Sequence, residues 1–245
     1  EGNHTMRKTK IVCTVGPASS DPAVFAEMCR AGLNVARLNF SHGTHEEQQK
    51  KIDMIKSVRE ELGLPIAILL DTKGPEYRIG TFRDGPVTLR DGAEFTFTTR
   101  PDAEGDETQV SVSYPGLAAE LAPGDTILVN NGLVIFEVAR IEDTEIHCRV
   151  VAGGQLSDRK SMSFPGKSLR QVYLSERDKE DLLFGIENGV DYVAASFVSC
   201  KQDVVDVKDF LTAHGGSGID IIAKIENRSG IDNIEEICEV CEGIM

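Results

Sequence analysis

The sequence predicts an α/β fold in which a parallel sheet is interrupted by an all-β insertion. Apolar, β-rich runs alternate with amphipathic helical patterns up to residue 74 and again from Ser175 onwards, which is the pattern of repeated βα units. Between about residues 75 and 165 the helical patterns stop. Short alternating segments take over there, separated by turn pairs such as Asp91-Gly92 and Asn131-Gly132.

The part before the insertion is predicted as βαβαβ. Its elements are, in chain order, a strand over 10–16, a helix from Ser20-Asp21-Pro22 to Gly32, a strand over 35–40, a helix over 44–62 and a strand over 67–72. Pro22 suits the first turn of a helix. In the longer helix, Ile52, Ile55 and Val58 recur at helical spacing and Gly63 is a typical stop.

The part after the insertion resumes the same alternation. The predicted elements are helices over 175–189, 201–213 and 230–241, strands over 192–198 and 219–226, and a further strand that begins at Gly243. Ser175 with Asp178 indicates a capping-box start. The predicted domains are therefore residues 1–74 and 166–245, as two parts of one sheet, with 75–165 inserted between them.

Composition narrows the class of protein. The 245 residues are 40% hydrophobic and carry a net charge of −14, which argues against nucleic acid or an anionic membrane as a general partner. No apolar run approaches the roughly 20 residues of a membrane span, and the first ten residues have no signal-peptide core. Met6 followed by RKTKIVCTVG is typical of a native start. The six cysteines lack the spacing of a small secreted domain, which predicts reduced thiols in the cytoplasm.

Polar side chains collect where the predicted parallel strands end. They are Arg37, Asn39 and Ser41 after the second strand, Asp71 and Thr72 after the third, Ser196 after the fourth, and Lys224 with Glu226 after the fifth. Parallel α/β folds place their sites at this edge. Two pairings, Lys224 with Glu226 and Arg37 with Asp71, are also compatible with ordinary structural ion pairs.

These residue types suit the handling of phosphate or carboxylate. Arginine offers a planar two-point clamp for an oxyanion, and a single glutamate suits Mg²⁺. A lysine neutralises charge that develops on an enolate or on a transferring phosphoryl group. Asn, Ser, Asp and Thr oxygens together suit a monovalent cation.

Other motifs that could suggest a metal or redox site are interpreted as structural residues. Cys238 and Cys241 form a C-x-x-C late in a predicted helix, without the second pair that zinc requires, and are interpreted as packing residues. His42 and His45 are interpreted as part of an exposed helix cap. His147 is interpreted as a strand residue of the insertion. No P-loop or Rossmann glycine motif is present in the sequence.

Longer stretches resemble one family. KIVCTVGPAS, NVARLNFSHGTHEE, ILLDTKGPEYRIG, DRKSMSFPGK, LSERDKEDLLFGIENGVDYVAASFV and IIAKIEN resemble pyruvate kinase, in that order, over nearly all of Met6 to Met245. The resemblance implies a partial (β/α)8 TIM barrel, interrupted after its third strand by a small all-β lid domain. It implies phosphoryl transfer from phosphoenolpyruvate to ADP, yielding pyruvate and ATP, with Mg²⁺ (or Mn²⁺) and K⁺, in a full-length homotetramer.

The resemblance also implies roles for individual residues. Arg37 and Lys224 would bind the substrate and act in catalysis, and Glu226 would bind Mg²⁺. The implied K⁺ ligands are Asn39, Ser41, Asp71 and Thr72. The implied nucleotide contacts are Asn39, Phe40, Ser41, His42, Arg78 and Lys160. Glu76 matches the position at which K⁺-dependent members carry an acid.

The family pattern continues beyond GIM with a second metal carboxylate and further barrel strands. The chain thus resembles about half of a pyruvate kinase, and we expect no turnover from these residues alone. Two alternatives stay open: a Mg²⁺-dependent aldol or enol lyase on a TIM barrel, and a non-catalytic fragment. Binding of ADP would favour the kinase over the lyase.

Overall fold

The computed structural model describes residues 8–167, 169–170 and 172–245. The chain divides into two compact units. The first, here called the βα unit, consists of the residues up to Gly74, Tyr173–Glu226 and Gly230–Met245. The second, here called the β unit, consists of Pro75–Val172 and Asn227–Ser229.

The chain before the β unit folds as predicted, as βαβαβ. Its elements are β1 (Val12–Thr14), a 3-10 turn (Pro17–Ser19), α1 (Pro22–Ala31), β2 (Val35–Asn39), α2 (His45–Leu62) and β3 (Ala67–Asp71). Thr44 and Glu47 form a reciprocal capping box at the start of α2. Gly63 ends that helix in the left-handed conformation that glycine adopts without strain.

Short strands dominate the segment that follows. The elements of this segment are, in chain order, β4 (Val87–Leu89), β5 (Glu94–Thr98), β6 (Gln109–Ser111), the helix α3 (Leu117–Glu120), β7 (Thr126–Val129), β8 (Val134–Glu142), β9 (Glu145–Ala152), β10 (Gly154–Leu156) and β11 (Met162–Ser163). Helix α3 is only one turn long.

The last part returns to alternating helices and strands. Its elements are α4 (Glu176–Glu187), β12 (Tyr192–Ala195), α5 (Lys201–Ala213), β13 (Asp220–Ala223), α6 (Arg228–Asp232), α7 (Ile234–Cys238) and β14 (Gly243–Ile244). Ser175 caps α4 with Asp178, as the sequence predicted.

One parallel six-stranded sheet organises the βα unit, in the order β1-β2-β3-β12-β13-β14. Its carboxyl ends therefore lie along one edge. The predicted stripe of α2 is buried against it: Ile52, Ile55 and Val58 belong to the same cluster as Leu38 and Ile68. This burial aligns the strand ends that carry the polar residues.

The β unit has a separate core. Its six-stranded sheet runs β11-β7-β8-β9-β5-β6, beside a two-stranded ladder of β10 and β4. Phe95, Phe97 and Phe136 pack with ring centroids 4.9 to 5.6 Å apart, which is the range of favourable aromatic pairs. None of the helices among the described residues has the length and hydrophobicity that crossing a membrane requires.

Several elements differ from their predicted extent, among them the strand expected over 10–16, which spans only Val12–Thr14. The strand expected over 192–198 ends at Ala195, because Phe197 has a φ of 57°, outside extended backbone. The strand expected over 219–226 ends at Ala223, although the amide of Lys224 still donates to Ala195 O. The helix expected over 230–241 is split at Asn233, whose side-chain amide donates to Ser199 O at 2.8 Å.

Candidate active site

The carboxylate of Asp71 is the centre of the polar edge of the βα unit. Asp71 ends β3 and is only 1% exposed. Its Oδ2 accepts from Arg37 Nε at 2.6 Å and lies 2.5 Å from Arg37 Nη2. Its Oδ1 accepts from Lys224 Nζ at 3.0 Å and lies 3.0 Å from Ser196 Oγ. Three different strand ends thus meet on one buried carboxylate.

Arg37 is held on two sides. Strand β2 pairs with β1 and β3 so that Arg37 lies between Thr14 and Leu69. Its Nη1 donates to Thr14 Oγ1 at 2.6 Å, while Asp71 takes the other edge of the guanidinium. The side chain stays 25% exposed. A fixed and partly accessible guanidinium is suited to clamp an oxyanion.

Lys224 and Glu226 lie beside Asp71, just beyond β13. Lys224 Nζ donates to Ser196 Oγ at 2.9 Å and lies 3.4 Å from Glu226 Oε1. Glu226 Oε2 accepts from the amide of Phe197 at 2.9 Å. The left-handed backbone at Phe197, uncommon for a bulky residue, aims that amide at the carboxylate.

The charges of this cluster cancel formally. Arg37 and Lys224 each carry one positive charge, and Asp71 and Glu226 each carry one negative charge. A buried carboxylate requires such compensation, because an unpaired charge in a low-dielectric interior costs several kcal/mol. The cluster therefore explains how Asp71 is tolerated at 1% exposure, and it leaves two cations near the accessible side.

Ser196 joins the site to the structure beneath it. Its amide donates to Thr72 Oγ1 at 3.1 Å, and its Oγ lies 2.6 Å from Thr72 O. Its carbonyl accepts from Tyr173 Oη at 2.6 Å, and burial raises the pKa of the Tyr173 phenol. A Cβ on Gly74, at a φ of 68°, would lie 2.7 Å from Ser196 O. Glycine is therefore required at position 74.

The segment 39–44, here called the β2–α2 loop, borders the same edge. The amide of Phe40 donates to Asp71 O at 3.0 Å, and Asn39 Oδ1 accepts from the amide of Ser41 at 3.0 Å. Beyond the loop, Gln48 Nε2 donates to Asn39 O and to His42 O. The loop is thus held to the strand edge at one end and to α2 at the other.

Oxygen donors for cations are present at this edge. Glu226 is 33% exposed on its side chain, which fits one carboxylate ligand of Mg²⁺. The amide, hydroxyl, carboxylate and carbonyl oxygens of Asn39, Ser41, Asp71 and Thr72 form an oxygen-only set with a single negative charge, which fits a monovalent cation. Among the described residues no cluster of three or more His, Cys, Asp or Glu groups could itself hold a metal ion.

Arg78 and Lys160, the two remaining predicted nucleotide contacts, belong to the β unit. Arg78 Nε donates to Glu76 Oε2 at 2.8 Å, and its Nη1 donates to Arg159 O at 2.5 Å. The backbone of Lys160 accepts from the amide of Ile79. Arg78 and Lys160 are therefore joined to the same small network around Arg159.

Two contributors went unnoticed in the sequence. Thr14 ends β1 as a polar residue, which is the signal shared by the other strand ends. Gln48 falls on the buried stripe of α2, four residues before Ile52 and seven before Ile55. A glutamine in such a stripe signals a side chain with a specific buried partner, and that signal was available.

The histidine and cysteine motifs can be compared with their interpretations from the sequence, and one of them needs correction. His42 and His45 are both exposed, as expected of a helix cap, and His45 Nε2 also lies 2.6 Å from the buried Asp181 Oδ1. Cys241 packs against the βα core, whereas Cys238 is exposed and not a packing residue. All six cysteines lie in the described ranges, and the structure pairs none of them in a disulfide.

The fold and the site together define a class: βα-repeat proteins that gather an arginine, a lysine and carboxylates at the carboxyl edge of a parallel sheet. The family model for the pyruvate kinase barrel domain matches residues 6–245. The chain belongs to the pyruvate kinase family.

Individual relatives agree with that assignment. A pyruvate kinase of Clostridium perfringens (strain 13 / Type A) is 44% identical over 240 residues, which cover 98% of this chain and 51% of the relative. A pyruvate kinase of Staphylococcus haemolyticus (strain JCSC1435) is 45% identical over 242 residues, which cover 98% and 41%. One of Geobacillus stearothermophilus is 42% identical over 241 residues. The chain spans about half the length, or less, of these relatives.

Proposed function

We propose that this chain carries the substrate-binding half of a pyruvate kinase, which transfers the phosphoryl group of phosphoenolpyruvate to ADP. The observation that carries the proposal is the contact of Arg37 and Lys224 with one buried carboxylate, Asp71. Two cations fixed in this way need no reorganisation when an anionic ligand arrives. Preorganised cations are the main requirement of phosphoryl transfer, because its transition state spreads charge over oxygens.

The two cations have different tasks in this proposal. Arg37, with a planar guanidinium that is held by Thr14 and Asp71, orients the phosphoryl oxygens. Lys224, a point charge that is only 13% exposed on its side chain, neutralises the enolate oxygen as the phosphoryl group leaves. Partial burial supports this task, because Coulombic attraction grows as water is excluded.

Glu226 is the proposed protein ligand of Mg²⁺ or Mn²⁺. The amide of Phe197 orients one of its oxygens and leaves the other directed along the side of Lys224. The bound ion would supply Lewis-acid neutralisation of the phosphate oxygens. Asn39, Ser41, Asp71 and Thr72 are the proposed K⁺ ligands, and Glu76 favours dependence on K⁺.

The β unit carries two of the proposed nucleotide contacts, Arg78 and Lys160. The other proposed nucleotide contacts are Asn39, Phe40, Ser41 and His42, which belong to the βα unit. The Arg78 guanidinium, which donates to Glu76 and to the carbonyl of Arg159, supports an anionic ligand. We further propose a cytoplasmic enzyme, supported by six unpaired thiols, that is a homotetramer at full length.

The test is a calorimetric titration of the chain with phosphoenolpyruvate in the presence of Mg²⁺ and K⁺. We expect Arg37→Gln to weaken binding at least about tenfold, since a charge-assisted hydrogen bond contributes about 1.5–3 kcal/mol. The control is Arg30→Gln, which makes the same change in a surface pair of α1 with Glu27. Equal binding by both variants would reject the proposed site. A parallel titration with ADP separates a kinase from a lyase.

A further inference from the structure

Four polar side chains hold the β2–α2 loop and do not belong to the cluster around Asp71. That cluster consists of Arg37, Asp71, Ser196, Lys224 and Glu226. Of the four side chains that hold the loop, His45 and Gln48 are in α2, and Arg177 and Asp181 are in α4. Each makes a specific hydrogen bond to the loop or to another of the four. These residues are here called the loop clamp.

Gln48 fixes the loop backbone directly. It is 1% exposed, and its Nε2 donates to Asn39 O and to His42 O, each at 3.0 Å. Two carbonyl acceptors settle which end of the amide faces the loop, because a carbonyl oxygen there would meet two acceptors. Its Oε1 is buried without a hydrogen-bond partner among the described residues. Gln48 therefore makes both hydrogen bonds to the loop while its own carbonyl oxygen stays without a partner among the described residues, which costs free energy.

His45 and Asp181 tie the start of α2 to α4. His45 Nε2 lies 2.6 Å from Asp181 Oδ1, and the imidazole stacks on Phe184 with ring centroids 4.5 Å apart. The Asp181 side chain is 4% exposed. Burial raises the pKa of Asp181, and the hydrogen bond from His45 opposes that rise. A buried carboxyl group is an expensive way to join two helices, so a purely packing role does not explain it.

Arg177 connects this pair back to the loop. Its Nη2 donates to Phe40 O at 3.1 Å, and its Nε lies 3.9 Å from Asp181 Oδ2. Arg177 and Asp181 are four residues apart, so both lie on one face of α4. The backbone carbonyls of Asn39, Phe40 and His42 thus all receive donors from the clamp.

We infer that Gln48, His45, Asp181 and Arg177 are positioning residues that hold the β2–α2 loop so that Asn39 and Ser41 present their oxygens to a monovalent cation. This inference rests on the proposed function for the ligand, but the restraint on the loop stands on the contacts alone. None of the four touches the cation in this account. Their effect is to lower the cost of ordering its ligands before binding.

The decisive variants separate the hydrogen bond of His45 from its ring packing. His45→Phe keeps an aromatic ring against Phe184 and removes the donor to Asp181. His45→Gln places an amide donor near the position of Nε2 and removes the ring. If the hydrogen bond holds the loop, amide hydrogen exchange at Ser41 rises about tenfold in His45→Phe and stays near the wild-type rate in His45→Gln.

Amide hydrogen exchange is measured without any ligand, so it tests the loop clamp independently of the proposed function. Unchanged exchange at Ser41 in His45→Phe would overturn the inference, and so would equal increases in both variants. If His45→Phe does not fold, Arg177→Gln decides the matter. Its side chain is 48% exposed, and loss of its bond to Phe40 O should also speed exchange in the loop without lowering the unfolding midpoint appreciably.

A second measurement addresses the cation. Thallium(I) is used as the probe for the monovalent site, by titration followed with thallium NMR. We expect His45→Phe to weaken thallium binding by a factor similar to its effect on exchange, and His45→Gln to restore it. Failure of the wild-type chain to bind thallium would reject the proposed K⁺ site and leave the exchange result standing. Wild-type binding that is unchanged in His45→Phe would reject the clamp.

Discussion

Lys224 Nζ lies 3.0 Å from Asp71 Oδ1, although 153 residues separate the two in the chain. Arg37 contacts the other oxygen of the same carboxylate. Asp71 is therefore the common partner of both cations, and its removal has consequences for stability as well as for binding.

Asp71→Asn should lower the free energy of unfolding by about 3 kcal/mol, because it leaves two partly buried cations without their counter-charge. Urea denaturation monitored by circular dichroism measures the change. Asp53→Asn is the matched control, since Asp53 is exposed on α2, where it accepts a hydrogen bond from Gln49. A loss for Asp71→Asn no larger than that of the control would mean that the cluster does not stabilise the fold.

Gly74→Ala should destabilise the chain by about 3 kcal/mol or more. The residue has a φ of 68°, and a Cβ there would lie 2.7 Å from the backbone oxygen of Ser196. Gly63→Ala offers a close comparison, because Gly63 has a φ of 62° and open space around the Cβ position. Gly63→Ala should lose only the free energy that a left-handed backbone costs a non-glycine residue, about 1 kcal/mol. Equal losses would show that the approach to Ser196 is unimportant.

Glu226→Gln should weaken Mn²⁺ binding by more than the roughly 10–100-fold loss that follows removal of an outer partner of a metal ligand. The free Mn²⁺ signal in electron paramagnetic resonance reports this binding without any turnover. Glu187→Gln, at an exposed position that ends α4, should bind as the wild type does. If Glu226→Gln retains wild-type affinity, Glu226 is not a ligand of the ion.

The phenol of Tyr114 should lose its proton at a higher pH than a free tyrosine. Burial, together with a hydrogen bond to Glu120, raises its pKa to about 12. Because the folded pKa exceeds the unfolded value of about 10, the phenol stabilises the fold fully below pH 10 and loses that contribution as pH rises towards 12. The stability advantage of the wild type over Tyr114→Phe should therefore shrink across this window.

Two measurements follow that behaviour. Absorbance at 295 nm gives the titration of Tyr114 as the difference between wild type and Tyr114→Phe, which removes the contribution of Tyr173. Urea unfolding at several pH values gives the stability difference. A difference titration centred near pH 10 would contradict the prediction.

The elements that could be predicted from the sequence are those whose ends are determined locally. Thr44 with Glu47 starts α2 and Gly63 ends it, and each signal acts within one turn of the helix. The gathering of polar groups at one edge also follows from parallel topology alone. The contacts of Arg37, Lys224 and Asp71 agree with that expectation, while the catalytic roles of these residues stay predictions.

Features that depend on distant partners could not be predicted. The turn at Phe197 shortens β12, and nothing in the neighbouring residues demands a left-handed backbone there. The left-handed turn lets the Phe197 amide donate a hydrogen bond to Glu226, a residue 29 positions away. Asp181 likewise looks like a surface residue of an amphipathic helix, because its partner His45 is 136 positions distant.

The pairing of β3 with β12 joins Leu69 to Tyr192 across the whole intervening segment. Closing so long a loop costs little more free energy than closing one half its length, about 0.6 kcal/mol per doubling, so the sheet tolerates a long segment between these two strands. The price is paid in time: contacts this remote in sequence form slowly. During synthesis, Arg37 leaves the ribosome before Asp71, whereas Lys224 follows 153 residues later, so the lysine is the last of the three partners to become available.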